Sequence, residues 1–222
     1  FRYMASFEGI RVEATGGRIL VEEFAIDPNF YDRKYFAGLE GTYGYESYDD
    51  ILNPTSGLKF QLTGGVKTNV EETDNTIVNL DPYLEFYNAL TRNRKWVLNT
   101  RFQAQFIFGD NYEFYQAAIL GGNTGLRGFR HERFAGKQAF ASGADLRYSL
   151  DSFTTAFLPF QIGVFAGYDV GRVWIPEMES RIWHDSYGGG FWINSAEAFG
   201  GKINLFNSRE GWRVSAGFGF RF

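Results

Sequence analysis

An all-β, transmembrane antiparallel barrel is the architecture to which three features of this 222-residue chain point. Apolar and polar residues alternate with period two over stretches of about 11 to 16 residues, longer than the five or six common in soluble sheets. Aromatic residues make up 19% of the chain and there are 27 glycines, yet charged residues reach 22% and mean hydropathy lies just below zero. No apolar run approaches the roughly 18 residues of a helical membrane span, whereas barrel strands alternate over about ten residues and leave average hydropathy low.

In chain order the alternation gives about twelve strands, at 1–12, 18–26, 34–46, 57–70, 77–89, 94–108, 113–121, 139–150, 159–174, 182–194, 197–206 and 210–222. In the fourth, Leu58, Phe60, Leu62, Val66 and Val70 share one face against Lys59, Gln61, Lys67 and Asn69. In the sixth, Trp96, Leu98, Phe102, Phe106 and Phe108 oppose Asn99, Arg101, Gln103 and Gln105. The ninth sets Phe160, Ile162, Val164, Ala166, Tyr168 and Val170 on the apolar face, which leaves Asp169 on the other, between Gly167 and Gly171. The last alternates Trp212, Val214, Ala216, Phe218, Phe220 and Phe222 with Arg213, Ser215, Gly217 and Gly219. Turn residues such as TGG, NPTSG, ETDN, TRNR, GDN and NSRE separate the strands, and no linker divides the chain.

A soluble sandwich or lipocalin-like barrel would show the same alternation with its apolar face inward. Strand length favours a tilted membrane crossing instead, as do glycines on the polar face and aromatics near strand ends, where interfacial girdles sit. The closing strand, ending on Phe220 and Phe222, resembles the C-terminal signal by which assembly machinery recognises outer-membrane barrels. The expected environment is therefore outer-membrane lipid.

Composition removes other classes. With no cysteine, disulfides and thiolate metal sites are ruled out. A formal net charge of −4 gives no basic field for nucleic acid. The chain opens on Phe1 without a signal segment and is expected to be processed or part of something longer.

The stretch GGNTGLRGFRHER, from Gly121 to Arg133, interrupts the alternation. A phosphate cradle would need a helix behind it, but the following residues lead into a strand. His131 and His184 both read as loop histidines, no serine stands in a nucleophile-like context, and Glu71, Glu72 and Asp74 read as a charged turn. No catalytic residue, metal or cofactor is therefore assigned, and this segment is not read as an enzyme. There remains a loop, 121–140, that folds into the lumen, where Arg127 requires a carboxylate and Asp169 faces it.

Leu126-Arg127-Gly128-Phe129 resembles the [VIL]-R-G-[FY] loop motif of the BamA/TamA superfamily of outer-membrane assembly and translocation barrels, the surface-antigen domain. Phe165 to Trp174 resembles the family strand that supplies a lumenal Asp, and SYGGGFWIN the strand after it; NPTSGLKFQLTGG and GDNYEFYQAAILGGNTGLRGF are similar more loosely. Five strands follow the loop, as in the sixteen-stranded family barrel.

The resemblance implies that Arg127 is a latch arginine with Leu126, Gly128 and Phe129 seating the loop, and Asp169, flanked by Gly167 and Gly171, its partner. It implies a protein that inserts, secretes or displays proteins at the bacterial outer membrane, with the assembly machinery, a protein client or a fused N-terminal domain as partners. Residues 1–222 would be the C-terminal portion of one barrel domain. Only about seven strands precede the loop where the family has eleven, so the first strands and any POTRA-like repeats are expected outside this chain. Two other readings stand beside it: a barrel anchoring an N-terminal metallophosphoesterase or patatin-like hydrolase, the former suggested by the loop sequence, and a passive porin-like transporter.

Overall fold

The computed structural model describes residues 1–12, 31–51, 53–150, 152–154, 159–176, 181–195 and 199–220. The strand expected at 18–26 and the terminal Phe222 lie outside these residues; of Phe220 only the backbone is described. Ten long strands follow one another as an antiparallel meander, each hydrogen-bonded to the next. They are β1 Arg2–Ile10, β2 Lys34–Tyr48, β3 Gly57–Asn69, β4 Thr76–Ala89, β5 Trp96–Phe108, β6 Gln138–Ser149, β7 Pro159–Trp174, β8 His184–Ser195, β9 Phe199–Ser208 and β10 Gly211–Phe220. Among the described residues, β1 and β10 do not pair with each other.

Cross-strand register carries the alternation from one strand to the next, because directly opposed residues share a face. Leu84 opposes Phe102, Leu146 opposes Ala166 and Leu98, Val164 opposes Phe191, and Ile203 opposes Ala216. This outer face exposes Phe7, Leu39, Tyr168, Phe191, Trp212, Val214 and Phe218, a surface that water would not tolerate and lipid would. The inner face carries Glu85, Asn99, Arg101, Asp145 and Asp169, all on the polar phase of their strands. Pro82 lies within β4, and the β4–β5 pairing skips Asp81 and Pro82 before resuming in the same register. A proline has no N–H for the ladder, and here the interruption costs pairing without shifting the faces.

The segment 113–121 differs from expectation: it is not a wall strand. It forms a single 3-10 turn, Phe114–Gln116, then the short strand Ala118–Leu120, which pairs with Phe134–Gly136. The Ile119 amide donates to the Gln105 side chain at 2.7 Å, so an inner-face glutamine replaces the ladder that a wall strand would have made. Ala118 and Leu120 are buried against the inner face, while Phe114 is exposed. Residues 109–137 are thus one long connection folded back over the inner face, and five long strands follow it.

Beneath it lies an apolar cluster, Ile77, Ile107, Ala118, Leu120, Leu126, Phe129, Ala139 and Ala141. Ile77 and Ile107 are inner-face positions on mostly polar phases, and they are apolar where the loop covers them.

Candidate functional site

The tip of the long connection is shaped by its own backbone. The amides of Thr124 and Leu126 both donate to the Gly121 carbonyl, at 3.0 and 2.9 Å, Phe129 donates to Leu126, and Gly122 donates to Arg130. Gly125, at φ 96°, makes the reversal that an L side chain resists. This compact turn points Leu126 and Phe129, 0% and 1% exposed, into the apolar cluster and leaves Arg127 aimed along the inner face. Burying two such side chains favours docking by about 1.5–3 kcal/mol each, less the entropy of ordering the loop.

Arg127 lies between two aspartates. Its Nε donates to Asp169 Oδ2 at 2.8 Å and Nη2 to Asp169 Oδ1 at 2.6 Å, a two-point fork on one carboxylate. Nη1 and Nη2 also donate to Asp145, at 3.1 and 2.7 Å. The Arg127 backbone amide adds a bond to Asp169 Oδ2 at 3.1 Å. The guanidinium lies over the Phe206 ring, 4.0 Å from its centroid, which shields the pair from water. Burial alone would push the guanidinium down, but the bonds it donates to the Asp169 and Asp145 carboxylates outweigh it and hold Arg127 above the ordinary arginine value.

Arg101 supplies the second cation, reaching Asp145 at 2.7 Å and Asp169 at 3.5 Å. Two arginines facing two aspartates satisfy charge in a site where Asp169 is 1% exposed. The Ser186 hydroxyl lies 3.4 Å from Asp169 and accepts the Gly128 amide at 3.2 Å; the Ser208 hydroxyl donates to the Gly128 carbonyl at 2.7 Å.

Glycine makes this approach possible at two places. A methyl group at Gly167 would stand 2.2 Å from Asp145 Oδ1 and 2.9 Å from Arg127 Nη2, and one at Gly128 would meet Ser186 Cβ at 2.6 Å. Gly171 lies farther along β7, where its bare Cα admits Leu120 of the long connection.

The structure thus brings Leu126, Arg127, Gly128, Phe129, Asp169, Gly167 and Gly171 to one inner-face region. Asp145, Arg101, Ser186, Phe206 and Ser208 are the members that sequence reasoning missed. His184 belongs to the strand expected at 182–194 and not to a loop: it opens β8, is buried, and stacks on Phe134 with ring centroids 3.8 Å apart. His131 is exposed. No cluster of three or more metal-ligating side chains occurs among the described residues, and no helix among them is long and apolar enough to cross a membrane.

Residues 31–222 match the model of the Omp85 superfamily domain. Among solved structures, the chain is similar to BamA from Haemophilus ducreyi lacking POTRA domains 1-3, with a TM-score of 0.68 and 16% sequence identity. That likeness covers 89% of this chain and 46% of that one, so the chain spans about half the length of that relative.

Proposed function

Because the chain belongs to the Omp85 superfamily, whose members are outer-membrane barrels of protein assembly and translocation, we propose that it is the C-terminal portion of such a barrel and works by inserting, secreting or displaying proteins, with the expected lumenal loop latched inside the lumen up to residue 137, since residues 138–140 belong to wall strand β6. The fork from Arg127 to Asp169, shared with Asp145 and roofed by Phe206, is the observation that carries this reading. The tip engages the wall through the Arg127 guanidinium, which both aspartates hold. It provides a rigid internal brace, around which the wall strands keep one register.

The test is mutation of Arg127 in the full-length protein. Arg127→Ala leaves two buried carboxylates with Arg101 alone, a loss of about 3–5 kcal/mol. The long connection then becomes protease-sensitive, the heat-modifiable folded band weakens, and secretion or insertion activity falls. Arg127→Lys retains charge without the fork and recovers only part of each. Unchanged protease protection and activity in Arg127→Ala would refute the latch.

A further inference from the structure

At the rim opposite the long connection, the turn joining β2 and β3 also leaves the wall. Its base is firmly built. Asp49 accepts the amides of Thr55 and Ser56 at 2.8 and 3.0 Å, bonds the Thr55 hydroxyl, and pairs with Arg94 of the next turn at 2.8 Å. Asp50 accepts the Asn53 amide at 2.8 Å. From this base the tip, Asn53-Pro54, reaches across the inner face past β3, β4 and β5. Asn53 donates to Gln161 of β7 at 2.8 Å, and Arg147 of β6 donates to the Asn53 amide oxygen and to the Pro54 carbonyl at 3.3 Å. Both tip residues are buried although they belong to a short connection.

The seat has a definite chemistry. Arg147 stands near the faces of Trp192 and Tyr87, 5.3 and 5.8 Å from the ring centroids, and among the described residues its hydrogen bonds go to the neutral oxygens of Asn53 and Pro54. An arginine flanked by aromatic rings, beside a glutamine, recognises amide and carbonyl oxygens, the groups of an extended polypeptide. Above the tip lies a cavity of about 670 Å³, lined in part by Pro54, Glu85, Arg101, Arg127, Arg147 and Lys202. The two closures differ in strength: the long connection is held by carboxylates on arginine, the turn by neutral acceptors on arginine, and a charge-assisted pair is the stronger.

We propose that the β2–β3 turn is a second closure of the lumen, a flap seated on a peptide-amide site formed by Arg147 and Gln161, and that an extended polypeptide segment takes that site when the flap lifts. The inference rests on the translocation reading above and names its opening step. The turn swings on the Asp49 base, and the Arg127 site stays intact.

Planar-bilayer conductance of the full-length protein tests it. Asn53→Gly, which removes the tip's side-chain bonds, raises conductance severalfold. In an Asn53→Cys/Gln161→Cys variant, a short bis-methanethiosulfonate cross-linker, joined to each cysteine through a disulfide with loss of methanesulfinate, holds conductance at the wild-type level, and reduction of those disulfides raises it. An unstructured Gly-Ser-Asn peptide blocks the raised conductance of Asn53→Gly but not that of Asn53→Gly/Arg147→Gln. Wild-type conductance in Asn53→Gly, or equal peptide block in the single and double variants, overturns the proposal. Protease protection of residues 121–137, followed in the same samples, stays at the wild-type level and separates this result from failure of the Arg127 latch.

Discussion

One methyl group separates two roles that an inner-face glycine can have. At Gly167 an added Cβ would collide with Asp145 Oδ1 at 2.2 Å, whereas at Gly217 the nearest atoms are Lys202 side-chain carbons at 3.8 Å. Gly167→Ala is therefore expected to destabilise the docked loop by about 1–3 kcal/mol with every charge still present, while Gly217→Ala is neutral. Denaturant titration of the folded band, with protease protection of residues 121–137, checks both; equal effects would mean that these glycines serve only wall curvature. The same residues show what the sequence could reveal. Asp169 falls on the inner face by simple alternation, and so does Asp145 in ASGADLRYSL, with Gly143 two residues before it. Alternation gives the face but not the height. That Asp145 stands opposite Gly167, and Gly143 opposite Arg101, depends on strand register, which turn geometry sets and no local pattern records.

At the scale of elements, alternation works where one face meets lipid and fails where a segment leaves the wall. The ten wall strands were legible for that reason, and residues 113–121 were misread because a short run packed on an inner face is also apolar on one side. The NPTSG turn was legible as a turn, but its inward course was not, since contacts from Asn53 to Arg147 and Gln161 span more than ninety residues. Its base makes a pH prediction. Burial pushes the Asp49 carboxyl up, but the Thr55 hydroxyl and the Ser56 and Thr55 amides outweigh this and bring it down to about 2. A carboxyl with a depressed folded value stabilises fully above its ordinary value near 3.8, and the contribution is lost as pH falls through about 2. Hydrogen-exchange protection of the Thr55 and Ser56 amides, corrected for intrinsic rate, is thus flat from neutral pH to about 5 and declines below about 4. Asp49→Asn abolishes that decline; protection lost already between pH 7 and 5 would place control in another group.

Across the whole molecule the long connection touches more than its Arg127 site. Its first limb reaches back to β2, where Glu113 pairs with Lys34 and Tyr115 meets Phe36 edge-on at 6.2 Å. Its last limb reaches the β9–β10 turn, where Arg133 pairs with Glu210. One connection thus ties the second strand of the sheet to its final hairpin, with the Arg127 pair and the apolar cluster between them. These ties are unequal. The Lys34 and Glu113 side chains are each at least a fifth exposed, and a pair of that kind is worth about 0.2–1 kcal/mol, whereas breaking the Arg127 site costs about 3–5. The connection should therefore open from its first limb inward. Lys34→Glu exposes residues 110–117 to limited proteolysis while 125–133 stay protected, and the exchange Lys34→Glu/Glu113→Lys restores protection. Arg127→Ala exposes both stretches at once, because the cluster that seats the limb against Ile77 and Ile107 is released with the tip. Simultaneous cleavage in Lys34→Glu would show instead that the limb and the tip form one cooperative unit, and that the brace across the sheet fails as a whole.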